Sequence, residues 1–145
     1  MKTKGIGLLE LMLALSIIAV LLVAATRYFK STDSSRKVNA AVDILQVVIN
    51  ASEDWRTTNN NYADISLAAL QKQGLLPGNT EWTESSGNPW GGGIKVTTND
   101  SGKTIALTLT QVPLKECNSL SDLMLKKGVT AQTCTNSEYN GNYSS

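Results

Sequence analysis

No histidine occurs among the 145 residues, and that absence removes much familiar catalytic chemistry. Imidazole is the side chain that titrates unperturbed near neutral pH, so Ser-His and Cys-His nucleophile pairs and His-ligated zinc are excluded. Charge of one sign is scarce as well: 13 Lys and Arg face 12 Asp and Glu, a formal net charge of +1. A dedicated nucleic-acid binder carries a basic excess to neutralise phosphates, so composition argues against that class. Neither Pro nor Gly interrupts the chain between Gly7 and Gly74. The length suits one ordinary domain. Hydrophobic residues make up 41% with a single Phe, and much of the apolar material sits in one block near the N-terminus, which leaves a polar remainder.

That block follows Met1-Lys2-Thr3-Lys4-Gly5. From Ile6 to Thr26 the chain reads IGLLELMLALSIIAVLLVAAT, long enough to cross a bilayer as a helix. Arg27 and Lys30 close it. A cleaved secretory signal would have a shorter apolar core and small residues at the cut, an ending that Ala24-Ala25-Thr26 only faintly imitates. A plain membrane anchor meets a different difficulty. Its one interior charge, Glu10, costs roughly 2.5 to 3.5 kcal/mol in hydrocarbon on insertion scales, so the carboxylate needs a partner.

Beyond Thr26 the helical pattern continues. Val38, Ala41, Val42, Leu45, Val48, Ile49 and Trp55 recur at three- and four-residue steps, while Arg36, Lys37, Asp43, Gln46, Asn50, Glu53 and Asp54 fall mostly elsewhere around the helix. One helix from about Ile6 to about Thr57 is expected. Ser31–Ser35 is the weak spot where the helix could bend on leaving a bilayer. Asn-rich Thr57–Asp64 reads as a loop, and Ser66 as the cap of a short helix over Leu67–Gln73 that ends at Gly74. Leu75–Gly93, with Pro77-Gly78 and Asn88-Pro89-Trp90-Gly91-Gly92-Gly93, is too rich in turn formers for regular structure. Alternation then begins: Ile94 and Val96, a turn at Asn99-Asp100-Ser101-Gly102, then Ile105, Leu107 and Leu109 make a hairpin with one apolar face. Too few carboxylates lie near Asp100 for a hard-cation site. Leu114–Lys127 has Leu120, Leu123 and Met124 at helical spacing and Gly128 as a stop. The tail Thr135–Ser145, of Asn, Gly, Ser and Tyr, reads as exposed surface. Asn50-Ala51-Ser52 and Asn142-Tyr143-Ser144 match a glycosylation acceptor pattern, one that arises often by chance.

Cys117 and Cys134 flank the last helix. In a domain that a membrane anchor carries outward they suggest a disulfide in an oxidising compartment. A metal pair, poor without another soft ligand, and two free thiols are the alternatives. Closing a loop of about 18 residues stabilises by about 3 kcal/mol on the chain-entropy model.

Lys4-Gly5-Ile6-Gly7-Leu8-Leu9-Glu10-Leu11-Met12 resembles the class III signal of type IV pilins and type II secretion pseudopilins. In that family a short basic leader ends in Gly, a hydrophobic residue follows the cut, and Glu stands fifth after the scissile bond. The resemblance implies that a prepilin peptidase cleaves between Gly5 and Ile6, that the new Ile6 amine is N-methylated, and that Glu10 and Ile6 serve filament assembly. Lys2 and Lys4 suit a leader held in the cytoplasm. Their loss leaves 11 of the 13 basic residues against 12 acidic ones, a side-chain charge of −1. The order of elements also resembles the family: an α+β, type IV pilin fold with a long N-terminal helix packed on a small antiparallel sheet and a disulfide-bounded C-terminal region. Type IVa pilins bend the helix with a Gly and a Pro where Ala19 and Arg27 stand here. The missing proline and a cysteine loop enclosing a helix are more similar to type IVb, while Asn88-Pro89-Trp90-Gly91 resembles a loop of major pseudopilins.

The implied organisation is a leader (1–5), a transmembrane and filament-core half helix (6–30) and a head (31–145). The implied role is structural rather than enzymatic: a pilus subunit held in the bacterial inner membrane as a precursor and extracellular after assembly. Its partners would be copies of itself, the prepilin peptidase, the inner-membrane assembly machinery and the membrane. No cofactor or metal is expected, and a surface ligand or DNA is undetermined. A pseudopilin, a minor pilin and a membrane-anchored binding module that never polymerises are the rival readings.

Overall fold

A computed structural model describes residues 5, 7–79 and 81–145. Its contacts divide into two units, one ending at Ser35 and the other comprising Arg36–Ser145. Helix α1 runs over Leu8–Asn59, uninterrupted because no Pro removes a donor and no Gly loosens the backbone. Ser31–Ser35 stays helical, with the Thr32 hydroxyl donating back to the Tyr28 carbonyl at 3.0 Å. The expected weak spot is therefore helical, with Thr32 finding its partner on the helix itself. The helix also passes Thr57 by two residues, as the hydroxyls of Thr57 and Thr58 both donate to the Asp54 carbonyl.

In the second unit, Val38, Ala41, Leu45, Val48, Ile49, Ser52 and Trp55 form the buried stripe of α1. They share one core with the sheet and the two short helices. Helix α2 covers Leu67–Lys72, capped by Ser66, whose hydroxyl accepts from the Ala69 amide at 3.1 Å. Gly74 follows at φ +69°, a left-handed position that glycine takes without steric cost.

Four antiparallel strands make the sheet: β1 Ile94–Asn99, β2 Thr104–Thr110, β3 Val129–Thr135 and β4 Glu138–Tyr143, in the order β1-β2-β4-β3. The first hairpin is as the alternation predicts, with Ile94 opposite Leu109 and Val96 opposite Leu107. Helix α3, Leu114–Leu125, connects the two hairpins. It ends before Lys127, and Cys117 lies inside it rather than ahead of it.

The tail differs from expectation most. Thr135–Ser145 is not loose surface: it carries β4, an inner strand that pairs Ile105 with Tyr143, Leu107 with Gly141 and Leu109 with Tyr139. Asn136 and Ser137, at φ +51° and +61°, make the two-residue turn from β3. Tyr139 and Gly141 are buried. A Cβ at Gly141 would lie 2.5 Å from Val129 Cγ1 and 2.7 Å from the Tyr139 hydroxyl, so the glycine that reads as a turn former is a packing requirement. Tertiary contact overrides poor local strand propensity here.

Candidate assembly site

Three features bear on function: an uncovered apolar helix, a lone carboxylate in its first turn, and the devices that hold the head rigid. Large apolar side chains from Leu8 to Val23 are all exposed, from 48% at Leu11 to 82% at Leu9. They project around the whole helix, so the segment cannot bury its apolar surface on one neighbouring layer of its own chain. Such a surface requires lipid or other protein around it. An 18-residue window of α1 reaches a mean hydropathy of 2.7 with none of it buried, long and apolar enough to cross a membrane. Polar groups within it close on the backbone. Ser16 donates to the Met12 carbonyl at 2.8 Å and Thr26 to that of Val23 at 2.9 Å, leaving no unpaired hydroxyl to oppose an apolar environment.

Glu10 is exposed in the first turn of α1, where the helix dipole favours an anion. It makes no ion pair among the described residues. Ile6, the residue expected to carry the amine facing it, lies outside the described residues, as do Lys2 and Lys4. Gly5 is exposed, and a Cβ added there meets nothing within 4 Å. The chain's described structure therefore does not demand glycine at that position, and any such demand comes from outside it.

The head is fixed at three places. Cys117 on α3 and Cys134 on β3 form a disulfide across a Cα separation of 5.9 Å. Cys134 stands opposite Tyr139 in the register, so the bond ties α3 to the β3–β4 hairpin. The Tyr143 hydroxyl donates to Glu53 Oε1, joining the end of β4 to α1. That bond, with burial second, pushes the Tyr143 pKa up to about 12, while burial alone raises that of Tyr139. Asn88 is the third fixture. Its amide donates to the carbonyls of Gly93 at 3.1 Å and Thr110 at 2.6 Å, and its Oδ1 accepts from the amides of Trp90 at 2.9 Å and Gly92 at 3.0 Å. The glycines after it are dictated by space: a Cβ at Gly92 would sit 2.1 Å from the Thr110 carbonyl oxygen, and one at Gly93 1.8 Å from that of Glu84. Composition marks this stretch as irregular, but side-chain hydrogen bonding across 22 residues has no local signature.

An exposed apolar helix leading into an α+β head with an antiparallel sheet and a disulfide-bounded C-terminal region defines a pilin-like protein. The chain matches the family described as PilS N terminal over residues 35–144, and it belongs to that pilin-related family. No match was found among curated proteins or solved structures. The matched segment begins after the apolar block, so the family assignment and the class III signal resemblance rest on different residues.

Proposed function

We propose that this protein is a structural subunit of a type IV pilus filament. The apolar helix with its single first-turn acid carries the reading, because that surface must be covered and the acid must be neutralised wherever it is covered. Lipid covers it while the precursor waits in the inner membrane, and the helices of neighbouring copies cover it in the filament. Residues 1–5 act as the leader, 6–30 as the membrane and core half of the helix, and 31–145 as the head.

On this reading a prepilin peptidase cuts between Gly5 and Ile6, and the Ile6 amine is methylated. A secondary or primary amine is cationic at neutral pH, so Glu10 can pair with it. Two ions in apolar surroundings are costly apart and much less so together. When the pair forms between subunits, charge neutralisation becomes a docking signal that sets the step of one helix against the next.

The first experiment is mass spectrometry and electron microscopy of sheared surface filaments. It should find this chain as an abundant component with the mass of residues 6–145 plus one methyl group. A chain that retains Met1 and occurs only in the inner membrane would sink the proposal. A Gly5→Val precursor should insert and fold normally, given the empty space around Gly5, yet keep Lys2 and Lys4. Normal trimming of that variant, read by N-terminal sequencing, would remove the processing argument. The Asn88 loop favours one other reading, a type II secretion pseudopilin, for which deletion would abolish protein export and leave no extended surface fibres.

A further inference from the structure

Helix α1 starts at Leu8, and Gly5 and Gly7 lie outside it. The Gly7 carbonyl accepts from the Leu11 amide at 3.1 Å, the first bond of the helical ladder, which makes Gly7 the cap. Two positions earlier in the same ladder the Leu9 amide would donate to the Gly5 carbonyl. That bond is absent, and among the described residues no group donates to the Gly5 carbonyl. A Cβ on Gly7 would meet nothing within 4 Å, so packing does not require glycine there. Propensity gives it a role. Glycine is poor inside a helix and acceptable as its cap, whereas alanine is the best interior residue and a poor cap. Both preferences stop α1 at Leu8 and oppose its running back to Gly5.

We propose that Gly7 is a positioning residue for the cleavage between Gly5 and Ile6: by ending the helix short of that bond, it leaves the Gly5 carbonyl free for the peptidase. The inference rests on the processing reading above and names the residue that keeps the bond accessible. Hydrolysis adds water across the bond, leaving a carboxylate on Gly5 and an amine on Ile6. As the water oxygen attacks the Gly5 carbonyl carbon, the carbonyl oxygen gathers negative charge that the enzyme's donors have to reach. A carbonyl within a helix points along the axis at the amide four residues on, and that amide occupies it. A precursor whose helix included the bond would have to unwind before it could be cut. Its apparent affinity for the enzyme would fall in proportion to the unwound fraction.

The test compares the full-length precursor with Gly7→Ala and Gly7→Ser, each in detergent micelles with a purified prepilin peptidase. Alanine favours helix through the bond, whereas serine caps at least as well as glycine and keeps the stop. Gly7→Ala should lower kcat/KM for cleavage about fivefold, the ratio set by the difference in helix propensity between Gly and Ala. Its Gly5 Cα chemical shift should move toward helical values. Gly7→Ser should be cut within about twofold of the parent rate, with the Gly5 shift unmoved. Equal cutting of Gly7→Ala and the parent overturns the proposal. So does slow cutting of both variants, which would mean that the enzyme demands a bare glycine whatever the helix does. In either case a parent that is cut at Gly5 leaves the processing reading standing. A parent that is not cut there overturns that reading, and this inference with it.

Discussion

Asn88 shows how much one side chain can hold when it replaces regular structure. Four backbone groups depend on it, two carbonyls and two amides, and at 7% exposure water cannot take its place at all of them. A buried group left unsatisfied costs about 1 to 3 kcal/mol. Asn88→Ala is therefore expected to destabilise the head by about 2 to 4 kcal/mol, some of the orphaned groups regaining solvent. Urea unfolding should show that loss, and a change below about 0.5 kcal/mol would mean the loop holds itself. Tyr143 makes a different prediction, about pH. Its pKa rises from the ordinary 10 to about 12 in the folded head, so the folded state keeps the phenol proton more tightly than the unfolded chain does. The stabilisation is complete below about pH 10 and disappears as pH climbs through about 12. The stability gap between the parent and Tyr143→Phe should accordingly narrow over that window in urea unfolding. A gap constant from pH 9 to pH 12 would show that the bond to Glu53 contributes nothing.

At the scale of elements, legibility followed how local the cause was. Ser66, Gly74 and the α1 stripe act through neighbours three or four residues away, and periodicity exposes them. The β1–β2 hairpin is visible because Ile94, Val96, Ile105, Leu107 and Leu109 alternate around a turn. Strand β4 is invisible to the same logic: Glu138-Tyr-Asn-Gly-Asn-Tyr143 has the composition of a loop, and pairing with β2 on one side and β3 on the other makes it a strand. The disulfide works where local propensity is weakest. It fastens α3 to the hairpin containing β4, and its loop separates the cysteines by 17 positions. Cross-links of that span stabilise by about 3 kcal/mol on the chain-entropy model. Cys117→Ser should lower head stability by about that amount, with amide exchange quickening first across Val129–Tyr143. Uniform quickening over the whole head, or none, would show that the bond does not hold the hairpin to α3. Thiol labelling of the native protein should find neither cysteine reactive before reduction.

For the molecule as a whole, the two units face opposite demands. The head buries most of its large apolar side chains in one core of its own, Leu114 and Leu125 excepted. The segment from Leu8 to Val23 is helical and leaves its large apolar side chains uncovered, so its stability is a property of its surroundings. The sequence discloses this half by composition alone, whereas the assembly role proposed for Glu10 rests on its offset from Ile6 and on the resemblance that offset supports. The two explanations of Glu10 separate cleanly in a cell. As a lone snorkelling residue it is only a cost, and Glu10→Ala would ease insertion and change nothing else. As the partner of a neighbouring subunit's Ile6 amine it has a second effect, because that amine is then carried into an apolar core without a counter-ion. Breaking a buried pair by removing one partner costs about 3 to 5 kcal/mol, a loss repeated at every subunit. Glu10→Ala is therefore expected to insert and be cut as the parent is, with surface filaments reduced at least tenfold in cells lacking the parent chain. Counting filaments by electron microscopy, with membrane fractionation as the control for insertion, decides the matter. Abundant normal filaments from this variant would defeat the pairing mechanism.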